Sequence, residues 1–167
     1  HFAFEDGSFF YPVGFNLCWP SARRNAERWD FQVNAPEERS LRLERYLEQM
    51  GASGLTLARV WMSPWFGGLE WRRDWPEHHG LGVYSLANAW RVDRMLEVAE
   101  RQGIQLELAL HHHGPFTERY DSQWADNPFN VRRGGPLQSH TAVLTDPEAA
   151  RLFERRFEVD GPERQDD

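Results

Sequence analysis

Strand and helix signals alternate along this chain, with tight turns after helices and long loops after strands. That order predicts an α/β fold, a partial (β/α)8 (TIM) barrel of about three strand–helix units preceded by a β-hairpin. Alternation implies parallel strands joined by right-handed crossovers. The loop asymmetry favours a barrel, whose sites are built at the C-terminal ends of its strands. A doubly wound sheet is the alternative, but no glycine-rich phosphate loop follows the first strand, so nucleotide binding is poorly supported.

The elements follow in order. Phe2-Ala3-Phe4 and Phe9-Phe10-Tyr11 flank Asp6-Gly7, a hairpin turn pair. The second arm is expected to run on as a core strand, Phe9 to Asn16, stopped at Cys18-Trp19-Pro20. After a long loop to Asn34, Pro36 suits the first turn of a helix. Leu41, Leu43, Tyr46, Leu47 and Met50 mark its apolar face, and Gly51 is expected to close it. Leu55 to Trp61 is a second, largely buried strand, followed by a loop from Met62 to Ala87. A helix beginning near Asn88 has Trp90, Val92, Met95, Leu96, Val98 and Ala99 as apolar positions and stops at Gly103. Ile104 to Leu110 is the third strand. Its loop runs to Leu144, where Thr145-Asp146-Pro147-Glu148 opens a last helix. Residues 1–157 form the barrel portion, and 158–167 read as a polar, disordered tail. A complete barrel takes about 250 residues, so these three units, with sheet edges that natural proteins avoid, read as the front of one. The start at His1, without methionine or a signal-like segment, fits a processed protein or a fragment.

Composition narrows the function. A net charge of −7 argues against nucleic acid or an anionic membrane surface as partner, and no apolar run reaches the roughly 18 residues of a membrane span. The 19 cationic residues are all arginine, which removes lysine chemistry. The single Cys18 has no internal disulfide partner. Most of the eight tryptophans lie in or beside segments rich in Gly, Pro and Asn, where aromatics often build binding surfaces, and only Trp90 sits in a helical pattern.

Reading strand ends as site positions selects Asn16 and Trp19, then Arg59 and Trp61, then His111, His112 and His113. Arg59, in an otherwise apolar strand, needs partners. It is either half of an ion pair with Glu107 or a donor that orients a carboxylate. Strand alternation sets Gln105, Glu107, Ala109, His111 and His113 on the face away from the helices, and Leu106, Leu108, Leu110 and His112 on the other. The histidines have three readings: a metal pair at His111 and His113, a polar strand end, or sugar contacts. A metal site would need further ligands from later strands, so no metal or other cofactor is expected. Arg59 and the histidines are expected to share one shallow cleft with Trp19 or Trp61.

The segments FYPVGFNLCWP, GLTLARVWMSPW, AWRVDRMLEVAERQGIQLELALHHHGPF and DNPFNVRRGGPL, with LTDPEAARLFERRF, together resemble the first half of a cellulase-like glycoside hydrolase of the large barrel clan. The likeness is to family-five-like enzymes and spans roughly residues 4 to 157. It implies a carbohydrate partner, β-linked poly- or oligosaccharides, and a secreted or periplasmic setting. It also implies sugar-subsite roles for Arg59 and for His112 or His113, with Asn16, Trp19 and Trp61 as lining residues. Asn127, Asn130, Gly134 and Gly135 match the long third loop.

The chain departs from that pattern at the chemistry. The acid/base glutamate of the clan follows an asparagine at the end of the fourth strand, and no Asn-Glu pair occurs here. Retaining hydrolysis needs two carboxyl groups about 5–5.5 Å apart. Glu70, Asp74 and Glu77 lie on the second loop with nothing to mark them as such a pair. No catalytic residue is therefore assigned. The expectation is a chain inactive alone, prone to self-association or dependent on a missing C-terminal half; a non-catalytic carbohydrate-binding or interaction module and a metal-dependent hydrolase are the alternatives.

Overall fold

The computed structural model describes residues 2–18, 23–24, 29–30 and 36–158. Its described elements are mixed α/β, with one three-stranded parallel sheet and three α-helices. No closed barrel forms among the described residues. The chain divides into two compact units: residues up to 69 with 85–112, and 70–84 with those from 113 onward.

The first unit opens with the hairpin, β1 (Phe2–Ala3) antiparallel to β2 (Phe9–Phe10), in the register Phe2 to Phe10 and Ala3 to Phe9. Asp6 locks the turn by accepting from the Ser8 amide at 2.8 Å and hydroxyl at 2.6 Å. The core strand is separate from this arm: β3 spans Gly14–Cys18. Between them the Tyr11 carbonyl accepts from Thr56 Oγ1 at 2.7 Å, and Thr56 Oγ1 accepts from the Val13 amide at 3.1 Å. The expected strand from Phe9 to Asn16 is therefore shifted toward its C-terminal end. The long loop after it holds a short antiparallel pair, β4 (Arg23–Arg24) and β5 (Trp29–Asp30).

Helix α1 covers Pro36–Ala52, passing through Gly51 rather than ending there. Gly51 is small for a packing reason, since a Cβ on it would come within 2.9 Å of the Gln102 Cβ. Strand β6 (Leu57–Trp61) follows, then α2 (Leu86–Gln102) and β7 (Gln105–Ala109). Helix α2 starts two residues before Asn88 because Ser85 caps it, its hydroxyl accepting from the Asn88 amide at 3.3 Å. Asn88 is instead buried within the first turn, donating to the carbonyls of Pro64 and Gly68 at 3.0 and 2.6 Å. Gly103, with φ of 66°, closes the helix as expected.

The sheet order is β3-β6-β7, all parallel and in sequence order. Leu43, Leu47 and Met50 of α1, Ala58 and Val60 of β6, and Met95, Val98 and Ala99 of α2 are buried together, with Leu17, Leu106 and Leu108 packed against them. The alternate strand positions, Asn16, Arg59 and Glu107, are exposed. Within this unit both helices thus pack on one face of the sheet. The α1 and α2 stripes are narrower than expected: Tyr46, Trp90 and Leu96 face solvent, while the side chain of Leu41 lies outside the described set.

The second unit has its own core. Trp124, Phe129, Leu137 and Ala149 are buried, and Leu81, Phe116, Val143, Leu152 and Phe153 pack around them. Its helix α3 spans Pro147–Glu158, opened by Asp146, whose carboxylate accepts from the amides of Glu148 and Ala149 at 2.9 and 3.0 Å. The remainder is loops and 3-10 turns. Residues 159–167 of the expected tail lie outside the described residues.

Candidate functional site

The pleat of the parallel sheet gathers the polar strand residues. Asn16 lies opposite Arg59, and Arg59 opposite Glu107. The three form one row across β3, β6 and β7, on the face the helices leave open. Arg59 Nε meets Glu107 Oε1 at 2.9 Å, with side chains 46% and 57% exposed. The reading of Arg59 as a charge in an apolar, buried strand is therefore corrected: the strand is buried on one face only. An ion pair this exposed is worth at most about 1 kcal/mol and can open to admit another acceptor. The row ends beside Cys18, where the strand bulges between Asn16 and Cys18. Burial pushes the Cys18 thiol up, and Arg59 pulls the other way.

At the C-terminal end of β6, the Trp61 ring stacks on His112, with centroids 5.3 Å apart and planes at 8°. Trp65 meets the same imidazole edge-on at 6.0 Å. Strand alternation places His112 on the leucine face. It packs on Trp61 instead because β7 ends at Ala109, and the alternation rule lapses where the extended backbone does. Trp65 joins this cluster, although nothing in the sequence sets it apart from the other loop tryptophans.

His111 is half-buried at the end of the first unit. His113 begins the second, where its Nε2 lies 3.5 Å from Asp121 Oδ2, both exposed. Asp121 holds a φ of 47°, unusual for a residue with a side chain. Among the described residues, no three His, Cys, Asp or Glu side chains converge as metal ligands. Trp19 lies outside the described residues.

Two carboxylates of the second loop, Glu70 and Asp74, are engaged in ion pairs. Glu70 is buried; one oxygen accepts from the Gly82 amide at 2.7 Å and the other is paired with Arg156. The Arg156 guanidinium lies over the rings of Phe129 and Phe153, at 5.1 and 5.2 Å. Asp74 and Asp126 hold Arg72 and Arg133 in a closed four-member network.

The Asn-Pro-Phe-Asn and Gly-Gly segments are held by internal hydrogen bonds and close backbone packing. Asn127 donates to the Pro115 carbonyl at 2.7 Å and accepts from the Phe129 amide at 2.9 Å. Asn130 donates to the Trp124 carbonyl at 3.0 Å and accepts from the Arg132 amide at 2.9 Å. A Cβ on Gly135 would stand 2.3 Å from the Phe129 carbonyl, so only glycine fits there.

Comparison with models of known protein families and with curated proteins finds no match.

Proposed function

We propose that this chain supplies the sugar-binding floor of a glycoside-hydrolase-type (β/α) barrel, contributing about three of its strand–helix units and recognising β-linked poly- or oligosaccharides without hydrolysing them alone. The observation that carries this reading is the open face of the parallel sheet. There Asn16, Arg59 and Glu107 line up in register, and Trp61 stacks on His112 at the strand end. Guanidinium, amide and carboxylate groups offer donors and acceptors to sugar hydroxyls. The exposed part of the indole offers a flat apolar face to ring C–H groups.

In this reading His112, rather than His113, takes the histidine role, because it shares the Trp61 cluster. Binding is favoured over catalysis by the state of the carboxylates. Glu70 is held on both oxygens, and Glu107 is paired with Arg59. Neither is placed as a member of a nucleophile and acid pair.

The test is titration of the chain with cello- and manno-oligosaccharides by calorimetry, repeated with Arg59→Ala and Trp61→Ala, beside an aryl-glycoside turnover assay. Binding that both substitutions weaken, with no turnover, is expected. Hydrolysis abolished by Arg59→Ala, in material whose intact mass excludes a longer contaminant, would show that a catalytic carboxylate is present. Unchanged binding in both variants would remove the strand-end site.

A further inference from the structure

The second unit contains a cavity of about 240 Å³ lined by Glu118, Ser122, Trp124, Asn130, Arg132 and Gln138, among others. Its walls divide into fixed and available groups. Asn130 has both ends of its amide engaged, and Ser122 donates to the Thr117 carbonyl at 2.8 Å. Trp124 is buried between Phe116 and His140, with ring centroids 6.4 and 6.3 Å away. Against this rigid backing stand Glu118, Arg132 and Gln138, whose side chains are exposed. Glu118 Oε1 lies 4.0 Å from His140 Nδ1, beyond hydrogen-bond reach. The neighbouring Arg72 and Arg133 are bound into the network with Asp74 and Asp126, whereas no ion pair of Arg132 occurs among the described residues.

We infer that this cavity is a binding site for one small, neutral, polyhydroxylated molecule, of the size of a single sugar ring. The lining chemistry sets the class. Arg132 only donates, Glu118 as a carboxylate only accepts, Gln138 does both, and Ser122, its proton given to the Thr117 carbonyl, accepts. A hydroxyl is the ligand group that also does both, and neighbouring hydroxyls on one ring can meet such a set together. One cation and one anion in the lining give no preference for a net-charged ligand. The volume, about 240 Å³, falls just below the range of roughly 300–1,000 Å³ typical of small-molecule sites, which fits a monosaccharide. A fixed wall lowers the ordering cost of binding. All of these residues belong to the second unit, so the inference does not rest on the strand-end reading above.

The experiment is an NMR titration of the ¹⁵N-labelled full chain with glucose and mannose, with glycine as a zwitterionic probe and sulfate as an anionic one. Saturable shifts at the amides of Ser122, Trp124, Arg132 and Gln138 with a monosaccharide are expected. Arg132→Ala or Glu118→Gln should weaken them about tenfold, the loss typical of a hydrogen bond to a charged group. Ala125→Phe should abolish them by filling the cavity while leaving every polar group in place. Trp61→Ala should leave them unchanged, which separates this site from the strand-end one. Shifts confined to Trp61 and His112, the same amides responding to glycine or sulfate but to neither sugar, or full sugar response in Ala125→Phe would each overturn the inference.

Discussion

Two Arg–Glu pairs, one in each unit, show how the same chemistry serves opposite ends. Arg59 and Glu107 meet at 2.9 Å on the open face of the sheet, about half-exposed. Arg156 and Glu70 meet in the second unit with side chains only 10% and 3% exposed, the guanidinium beside two stacked aromatic rings and the carboxylate also held by the Gly82 amide. Water screens the first pair, so it contributes little and can exchange partners. The second has lost its water, and each member depends on the other. Exposure, not the identity of the pair, separates a group free to meet a ligand from one committed to the fold.

The largest effect expected from this comparison is at the buried pair. Arg156→Ala strands the Glu70 carboxylate in an apolar surround and should cost about 3–5 kcal/mol, read as a lower denaturation midpoint for the second unit. A loss below about 1 kcal/mol would place this pair with the exposed ones. Next comes Gly135→Ala in the same unit, where the added Cβ collides with the Phe129 carbonyl. The backbone must shift, and a loss of about 1–3 kcal/mol is expected. An unchanged midpoint would show that this turn yields freely.

Arg59→Ala sharpens the other side. Stability should change by less than about 1 kcal/mol, while oligosaccharide binding weakens. Cys18 supplies a second readout. Arg59 opposes the burial that raises the Cys18 thiol, so its removal leaves less thiolate at a given pH. Alkylation of Cys18 should then be slower in Arg59→Ala than in the parent chain at the same pH. Faster alkylation would mean that the substitution opens the bulge rather than removing a charge.

What was legible in the sequence follows the same division. The parallel order of the three strands, the hairpin at Asp6-Gly7 and the stop at Gly103 were readable because local chemistry and periodicity determine them. The start of α2 is not legible at Asn88, because Ser85, three residues upstream, supplies the cap and the Asn88 side chain is bound inside the turn. Arg59 and Glu107 are recognisable as partners on neighbouring strands, yet their exposure is not, since that depends on which sheet face the helices cover. The tryptophans misled most. Trp71 and Trp124, on loops, are buried, while Trp90, in a helix, is exposed. Loop position signals a surface only when the loop lacks a core of its own, and this second unit has one. The Glu70–Arg156 pair joins residues 86 apart in sequence, with no local pattern to announce it.

The smallest expected effect tests whether exposure outranks hydrogen-bond count. Asp6 accepts two hydrogen bonds from Ser8, as many as many buried carboxylates do, but it sits in a fully solvated turn. The Ser8 hydroxyl and amide hold its carboxyl below the ordinary aspartate value, against a slight opposing effect of burial. Because the folded value is the lower one, the hydrogen bonds favour the hairpin fully above the unfolded value. That contribution fades as pH falls from there and is gone once pH drops below the folded value. Protection of the Ser8 amide from exchange should therefore decline over that acid window, with no shift in the denaturation midpoint of either core. In Asp6→Asn the side-chain oxygen still accepts but no longer titrates, so Ser8 protection should be flat across the window. An acid loss of equal size in Asp6→Asn would assign the effect to some other carboxylate, and a midpoint that moves with Asp6 would show that a solvated turn can matter as much as a buried pair.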